Sequence, residues 1–159
     1  MVVRCDVVAV GAHPDDVEIG CGGTIARLAA AGRTVGVVDL TAGELGTRGT
    51  ALARAAEAEA AAAALGVEWR TCLELPDGGL DAGNEAQRQA VVSALRSAAP
   101  KAVLVHHPDD PHPDHGAAAA LVRAACFMAG VERWNPRLGE ASRPTLVLGY
   151  PGPRQLLAP

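Results

Sequence analysis

Short β-branched runs alternate along this chain with longer stretches of helical composition. Asp6 to Gly11 (DVVAVG), Thr34 to Leu40 (TVGVVDL) and Ala102 to Val105 (AVLV) are continuous apolar runs closed by turn residues or loops, the pattern of strands buried on both faces. Glu68 to Leu73 and Thr145 to Gly149 read as weaker strands. Between them, Asp16 to Ala31, Thr50 to Leu65, Asn84 to Ala98 and Asp114 to Ala129 have helical composition. Their stops are the glycines 32, 66 and 130, which suit a helix C-terminus, and Pro100, which cannot continue one.

This rhythm predicts an α/β fold, a Rossmann-like, doubly wound, mostly parallel sheet with helices on both faces. No internal repeat, linker or low-complexity tail interrupts it, so residues 1–159 are expected to form one domain. In such sheets ligands bind outside the carboxyl ends of the strands. A nucleotide-binding module is one reading of the pattern, with Asp39 closing the second strand. The dinucleotide fingerprint, however, needs GxGxxG in the first turn, which here reads GAHPDD; Gly20, Gly22 and Gly23 fall later, inside the helical stretch.

Composition narrows the function classes. With 14 basic and 18 acidic residues the chain carries a formal charge of −4, which argues against nucleic acid or an anionic membrane as its main partner. Aromatic residues make up only 3%, too few for base-stacking platforms. No apolar stretch is long enough to span a bilayer and no signal core follows Met1, so the cytoplasm is the expected compartment. Cys5, Cys21, Cys72 and Cys126 form no CxxC pair and are expected to be buried apolar residues.

All five histidines fall in two loops, His13 in GAHPDD and the other four in HHPDDPHPDH, residues 106–115. His13 and Asp16 stand three residues apart where the first strand turns into a helix, and His115 stands at a later helix start. Two imidazoles and one carboxylate leave a coordination position open for water, the pattern of catalytic zinc; iron(II) suits the same set. Bound zinc lowers the pKa of its water to about 7. With Asp16 as ligand, Asp15 is free to act as general base. His112 is placed to face the developing oxyanion as a cation or to hand a proton to the leaving amine, with Asp114 expected to hold it oriented and charged. Singly, His13 reads as a core or capping histidine and the two aspartates as helix-terminal acids; the joint pattern is far more specific. His106 and His107 are given no role.

The segments GAHPDDVEIGCGGTIARL, DLTAGELGTRGT and DDPHPDHGAA, in order over about Asp6 to Trp134, resemble the PIG-L/LmbE-like zinc-dependent N-acetylglucosaminyl deacetylases, nearest to the bacillithiol-biosynthesis branch acting on N-acetylglucosaminyl malate. The resemblance implies metal ligation by His13, Asp16 and His115, Asp15 as base, and His112 with Asp114 at the oxyanion. It adds Arg54 as a contact to the substrate's carboxylate and, more weakly, Glu44. It also implies a small N-acetylated glucosaminide as the binding partner and a homo-oligomer. Pro111 stands where related sequences often carry arginine, the natural bidentate partner of a carboxylate such as malate. Family members also continue beyond the strand at Thr145, so the chain is expected to lack their C-terminal segment, and a relative that keeps the metal site without activity is a competing reading.

Overall fold

The computed structural model describes residues 2–47 and 49–152; Met1, Arg48 (in the GELGTRGT segment) and residues 153–159 lie outside it. Five strands, β1 (Val7–Gly11), β2 (Val35–Thr41), β3 (Trp69–Leu75), β4 (Ala102–His106) and β5 (Leu146–Tyr150), form one sheet. Four helices, α1 (Asp16–Ala30), α2 (Ala51–Leu65), α3 (Glu85–Ala98) and α4 (Pro113–Ala129), connect the first four strands and follow β4. A short 3-10 turn, Pro136–Leu138, precedes β5. The sheet order is β3-β2-β1-β4-β5, and every pairing is parallel. Each element lies within about two residues of its expected bounds.

The apolar runs become strands because both faces are covered. Along β1, Val8 and Val10 enter one cluster with Val91 and Leu95 of α3 and Leu121, Val122 and Ala125 of α4. Val7 and Ala9, one residue out of phase, enter a second with Val17, Cys21 and Ile25 of α1. The period-two alternation of a strand thus feeds two cores. Helix ends are set locally: Asn84 caps α3 by accepting from the amides of Ala86 and Gln87, and Gly66 closes α2 at φ 71°. Of the four cysteines, Cys5, Cys21 and Cys126 are buried as expected, whereas Cys72 is exposed because it lies on edge strand β3. None of the helices is long and apolar enough to cross a membrane among the described residues.

The order in which strands are added reverses between β1 and β4, and this switch point places the loops after β1 and β4 side by side. The loops after β2 and β3 open on the same edge. Four loops therefore converge at the carboxyl ends of the strands.

Candidate metal and catalytic site

A cavity of about 490 Å³ opens at that edge, lined by His13, Asp15, Asp16, Arg54, Asp77, Asp110, His112 and His115 among others. Its central feature is Asp16. Oδ2 accepts the backbone amide of His13 at 2.7 Å and lies 3.3 Å from His13 Nδ1, while Oδ1 lies 3.2 Å from His115 Nε2. One ligand atom each from His13, Asp16 and His115 falls within 4.8 Å of the others. Donors held about 2.0–2.1 Å from a tetrahedral zinc lie about 3.3 Å apart, which is the spacing each imidazole keeps from the Asp16 carboxylate. Gly11 makes the turn tight enough: a Cβ there would come within 3.0 Å of the His13 carbonyl oxygen and 3.2 Å of Asp16 Cβ.

Carboxylates stand behind both imidazoles. His13 Nε2 is 3.1 Å from Asp77 and 3.2 Å from Asp114, and His115 Nδ1 is 3.1 Å from Asp110, short of hydrogen-bond geometry. Carboxylates in this place orient a metal-binding imidazole and raise its basicity. Two further groupings that could hold an ion, His106 with Asp110 and His115, and His13 with Asp77 and Asp114, share these residues and read as this outer layer. Burial alone would lower the His13 imidazole, yet Asp16, Asp77 and Asp114 raise it to about 9. His115 is raised in the same sense, against its burial, by Asp16 and Asp110. Burial opposes the charge of Asp16 too, but His106, His115 and His13 hold it well below the usual carboxylate range. Carboxylates gathered around imidazoles in this way are a grouping that could hold a cation.

Asp15 differs from its neighbour in every respect. It is the N-cap residue of α1, yet its side chain makes no cap hydrogen bond and is exposed to the cavity. Its backbone is strained, at φ 123°. Desolvation by the cavity walls, followed by the charge of Asp16, pushes its carboxyl up, against Arg54 and His13. Arg54 reaches it at 3.6 Å and donates to the carbonyls of Gly43 and Pro14, both at 2.8 Å. Glu44 lies beside this cluster, where its Oε1 accepts the amide of Asp77.

The expected pairing of Asp114 with a charged His112 is not what the structure holds. Asp114 turns its carboxylate to His13 and to the amide of Gly78, and meets His112 only through its own amide, which donates to Nδ1. His112 thereby caps α4. Its imidazole is pushed down by burial, then by His115 and His13, which favours the neutral ring. With Nδ1 accepting, Nε2 carries the proton.

His106, given no role above, is 1% exposed at the end of β4. Its Nε2 accepts the amide of Ala12 at 3.1 Å and lies 3.2 Å from Asp16 Oδ2, and its ring stacks on His115 at 3.9 Å. Asp77 and Asp110 were missed as well. Their signal was position: each follows a strand at its carboxyl end. The nucleotide-binding reading loses its acid, because Arg70 grips the buried Asp39 with two hydrogen bonds, at 2.6 and 2.8 Å.

Residues 8–126 match the family model described as PIG-L, GlcNAc-PI de-N-acetylase. The chain belongs to the PIG-L family. Among the relatives it is similar to, the diacetylchitobiose deacetylase of Thermococcus kodakarensis is 34% identical over 139 residues, which cover 81% of this chain and 52% of that protein. A 1D-myo-inositol 2-acetamido-2-deoxy-alpha-D-glucopyranoside deacetylase of Rhodococcus opacus is 32% identical, over 80% of this chain and 55% of its own. Among solved structures, the conserved protein TT1542 from Thermus thermophilus shares 41% identity and superposes with a TM-score of 0.88, over 94% of this chain and 67% of that one. The chain thus spans about half the length of these two curated relatives.

Proposed function

We propose that this chain carries the catalytic centre of a zinc-dependent deacetylase acting on an N-acetylglucosaminide, with His13, Asp16 and His115 as the metal ligands. The observation that carries the reading is the pair of adjacent aspartates in opposite states: Asp16 enclosed by imidazoles, Asp15 strained, without a cap hydrogen bond and facing the cavity. Zinc held there would supply Lewis acidity toward a water and the acetamide carbonyl. Iron(II) would serve the same ligands.

The residues divide the remaining work. Asp15 takes a proton from water as its oxygen bonds to the acetamide carbon. His112 donates Nε2–H to the oxyanion that develops on the carbonyl oxygen, as a neutral hydrogen-bond donor with no need of a charged ring. Asp114 acts one layer further out, fixing His13 through Nε2 and the loop after β3 through the Gly78 amide. The C–N bond then breaks, and the proton held by Asp15 passes to the departing nitrogen, giving acetate and a free amine.

For the aglycone, the cavity favours an uncharged group such as a second sugar or an inositol over malate. Asp15, Asp16, Asp77 and Asp110 line it. Arg54 is the one Lys or Arg among the described lining residues, and its guanidinium is held by two carbonyls. Pro111 offers no replacement. Names of the relatives point the same way, to diacetylchitobiose and to a glucosaminyl inositol.

The test is amine release from diacetylchitobiose, the glucosaminyl inositol and N-acetylglucosaminyl malate. Asp15→Asn is expected to lower turnover about 10²–10⁴-fold while bound zinc stays near one per chain. Wild-type turnover in that variant removes the base assigned here, and a preference for the malate conjugate removes the aglycone reading.

A further inference from the structure

Asp16 sits in the first turn of α1, and that turn lacks the usual side-chain cap, since Asp15 makes no cap hydrogen bond. What else holds the turn decides how well Asp16 is aimed. Successive residues of a helix are rotated by about 100°. Val17 is fully buried in the core between α1 and the sheet, so Asp16 and Glu18, on either side of it, leave the helix in nearly opposite directions. Asp16 goes to the cavity and Glu18 goes toward β3.

There Glu18 meets Arg70. Nη1 of Arg70 donates to Glu18 Oε1 and, at 3.1 Å, to the Ala58 carbonyl of α2. Nε and Nη2 donate to the two carboxylate oxygens of Asp39 on β2, at 2.6 and 2.8 Å. The Arg70 and Asp39 side chains are only 3% and 4% exposed. Asp39 pairs in register with Gly11, the last residue of β1, so this anchor stands level with the point where β1 gives way to the site loop. A buried group of charges is weak evidence for stability, because removing them from water offsets their attraction and apolar replacements of similar volume often do as well. Its geometry gives it another use. Rotating the first turn of α1 about its axis would carry Asp16 off His115 and, in the same motion, Glu18 off Arg70.

We propose that Glu18 and Arg70 are positioning residues for the metal site: a brace that fixes the rotation of the first turn of α1 against β2 and β3 and so holds Asp16 opposite His115. The proposal rests on the reading of Asp16 as a zinc ligand. Among the described residues neither lines the cavity, so both act through Asp16. Lysine cannot replace Arg70, because one ammonium lacks the planar fork that reaches Asp39 and Glu18 at once.

The experiment compares Glu18→Leu with Glu18→Gln by metal-free crystal structures and by zinc Kd from chelator competition. The titration is run well below the unfolding transition, so lost stability alone leaves Kd unmoved. Leucine leaves Arg70 its Asp39 partner but offers Nη1 no acceptor; glutamine keeps the reach and a carbonyl oxygen without the charge. In Glu18→Leu the separation of Asp16 Oδ1 from His115 Nε2, 3.2 Å in the wild-type chain, should widen, and Kd should rise about tenfold or more. Glu18→Gln should keep the separation and stay within about threefold of wild-type Kd, since a neutral acceptor still satisfies Nη1. An unchanged separation in Glu18→Leu overturns the brace. Equal losses of affinity in both variants overturn it too, because the charge of Glu18 and not its anchoring would then be what zinc feels. If Glu18→Leu does not fold, Arg70→Lys should show the same widening and the same loss, and overturns the brace if it shows neither. Should the wild-type chain bind no zinc, the proposed function falls, and the Asp16–His115 separation in the metal-free crystals still judges the brace.

Discussion

Asp16 is close to three imidazoles, and only two of them are assigned to the ion. The third, His106, approaches from beneath: it is fully buried, stacks on His115 and packs against Tyr150. Its Nε2 takes the Ala12 amide, so it holds the first residue past β1 while limiting where Asp16 Oδ2 can go. That makes it a support for the site rather than filler. Truncation in His106→Ala leaves a cavity beneath His115 and orphans a buried amide. The two losses together should cost about 2–4 kcal/mol in urea unfolding. Zinc affinity should also drop about 10–100-fold, the size seen when an outer partner of a ligand is removed. A competition titration with a zinc chelator measures the second effect. Unchanged affinity in a folded variant would reduce His106 to packing alone.

At the scale of elements, Arg96 near the end of α3 ties the scaffold together. Its buried guanidinium donates to the carbonyls of Ala129, Asn135, Gly139, Met128, Val131 and Trp134, gathering the end of α4 and the turn before β5 onto α3. Arg96→Met keeps much of the bulk and leaves those carbonyls without their donor, and a loss of about 3–5 kcal/mol is expected from denaturant unfolding. Nothing in the sequence marked Arg96, because a guanidinium satisfied by backbone carbonyls leaves no residue-type pattern. The elements themselves were legible: β1, β2 and β4 are continuous apolar runs because the sheet is covered on both faces, and glycine or proline stops every helix. The histidine clustering likewise made the two site loops visible. What stayed hidden came from tertiary geometry. His106 looked like a loop residue yet ends β4, and Asp114 looked paired with its sequence neighbour yet reaches across to His13. Asp77 comes from a third loop whose sequence, PDGG, reads as an ordinary turn.

For the molecule as a whole, the candidate ligands sit on either side of the sheet's switch point: His13 and Asp16 at the start of α1, His115 in the first turn of α4. Helices α1 and α4 pack on opposite faces of the sheet, in different apolar clusters. An ion bound by both would join the two halves of the core at the edge where Asp16 already faces His115 and His106. Binding to the folded state alone stabilises it by mass action, about 2.7 kcal/mol at a free concentration a hundredfold above Kd. For a chain of this size each kcal/mol shifts Tm by about 2–4 °C, so zinc added to chelator-treated protein should raise Tm by about 5–11 °C. Asp15→Asn should keep this shift, since Asp15 stands outside the ligand set, and Asp16→Ala should lose it. Magnesium, which prefers oxygen ligands in an octahedral shell, should produce none. Were zinc to leave Tm unmoved while Asp16→Ala behaved like wild type, the two turns would meet for some reason other than a shared cation, and the hydrolytic reading would lose its foundation.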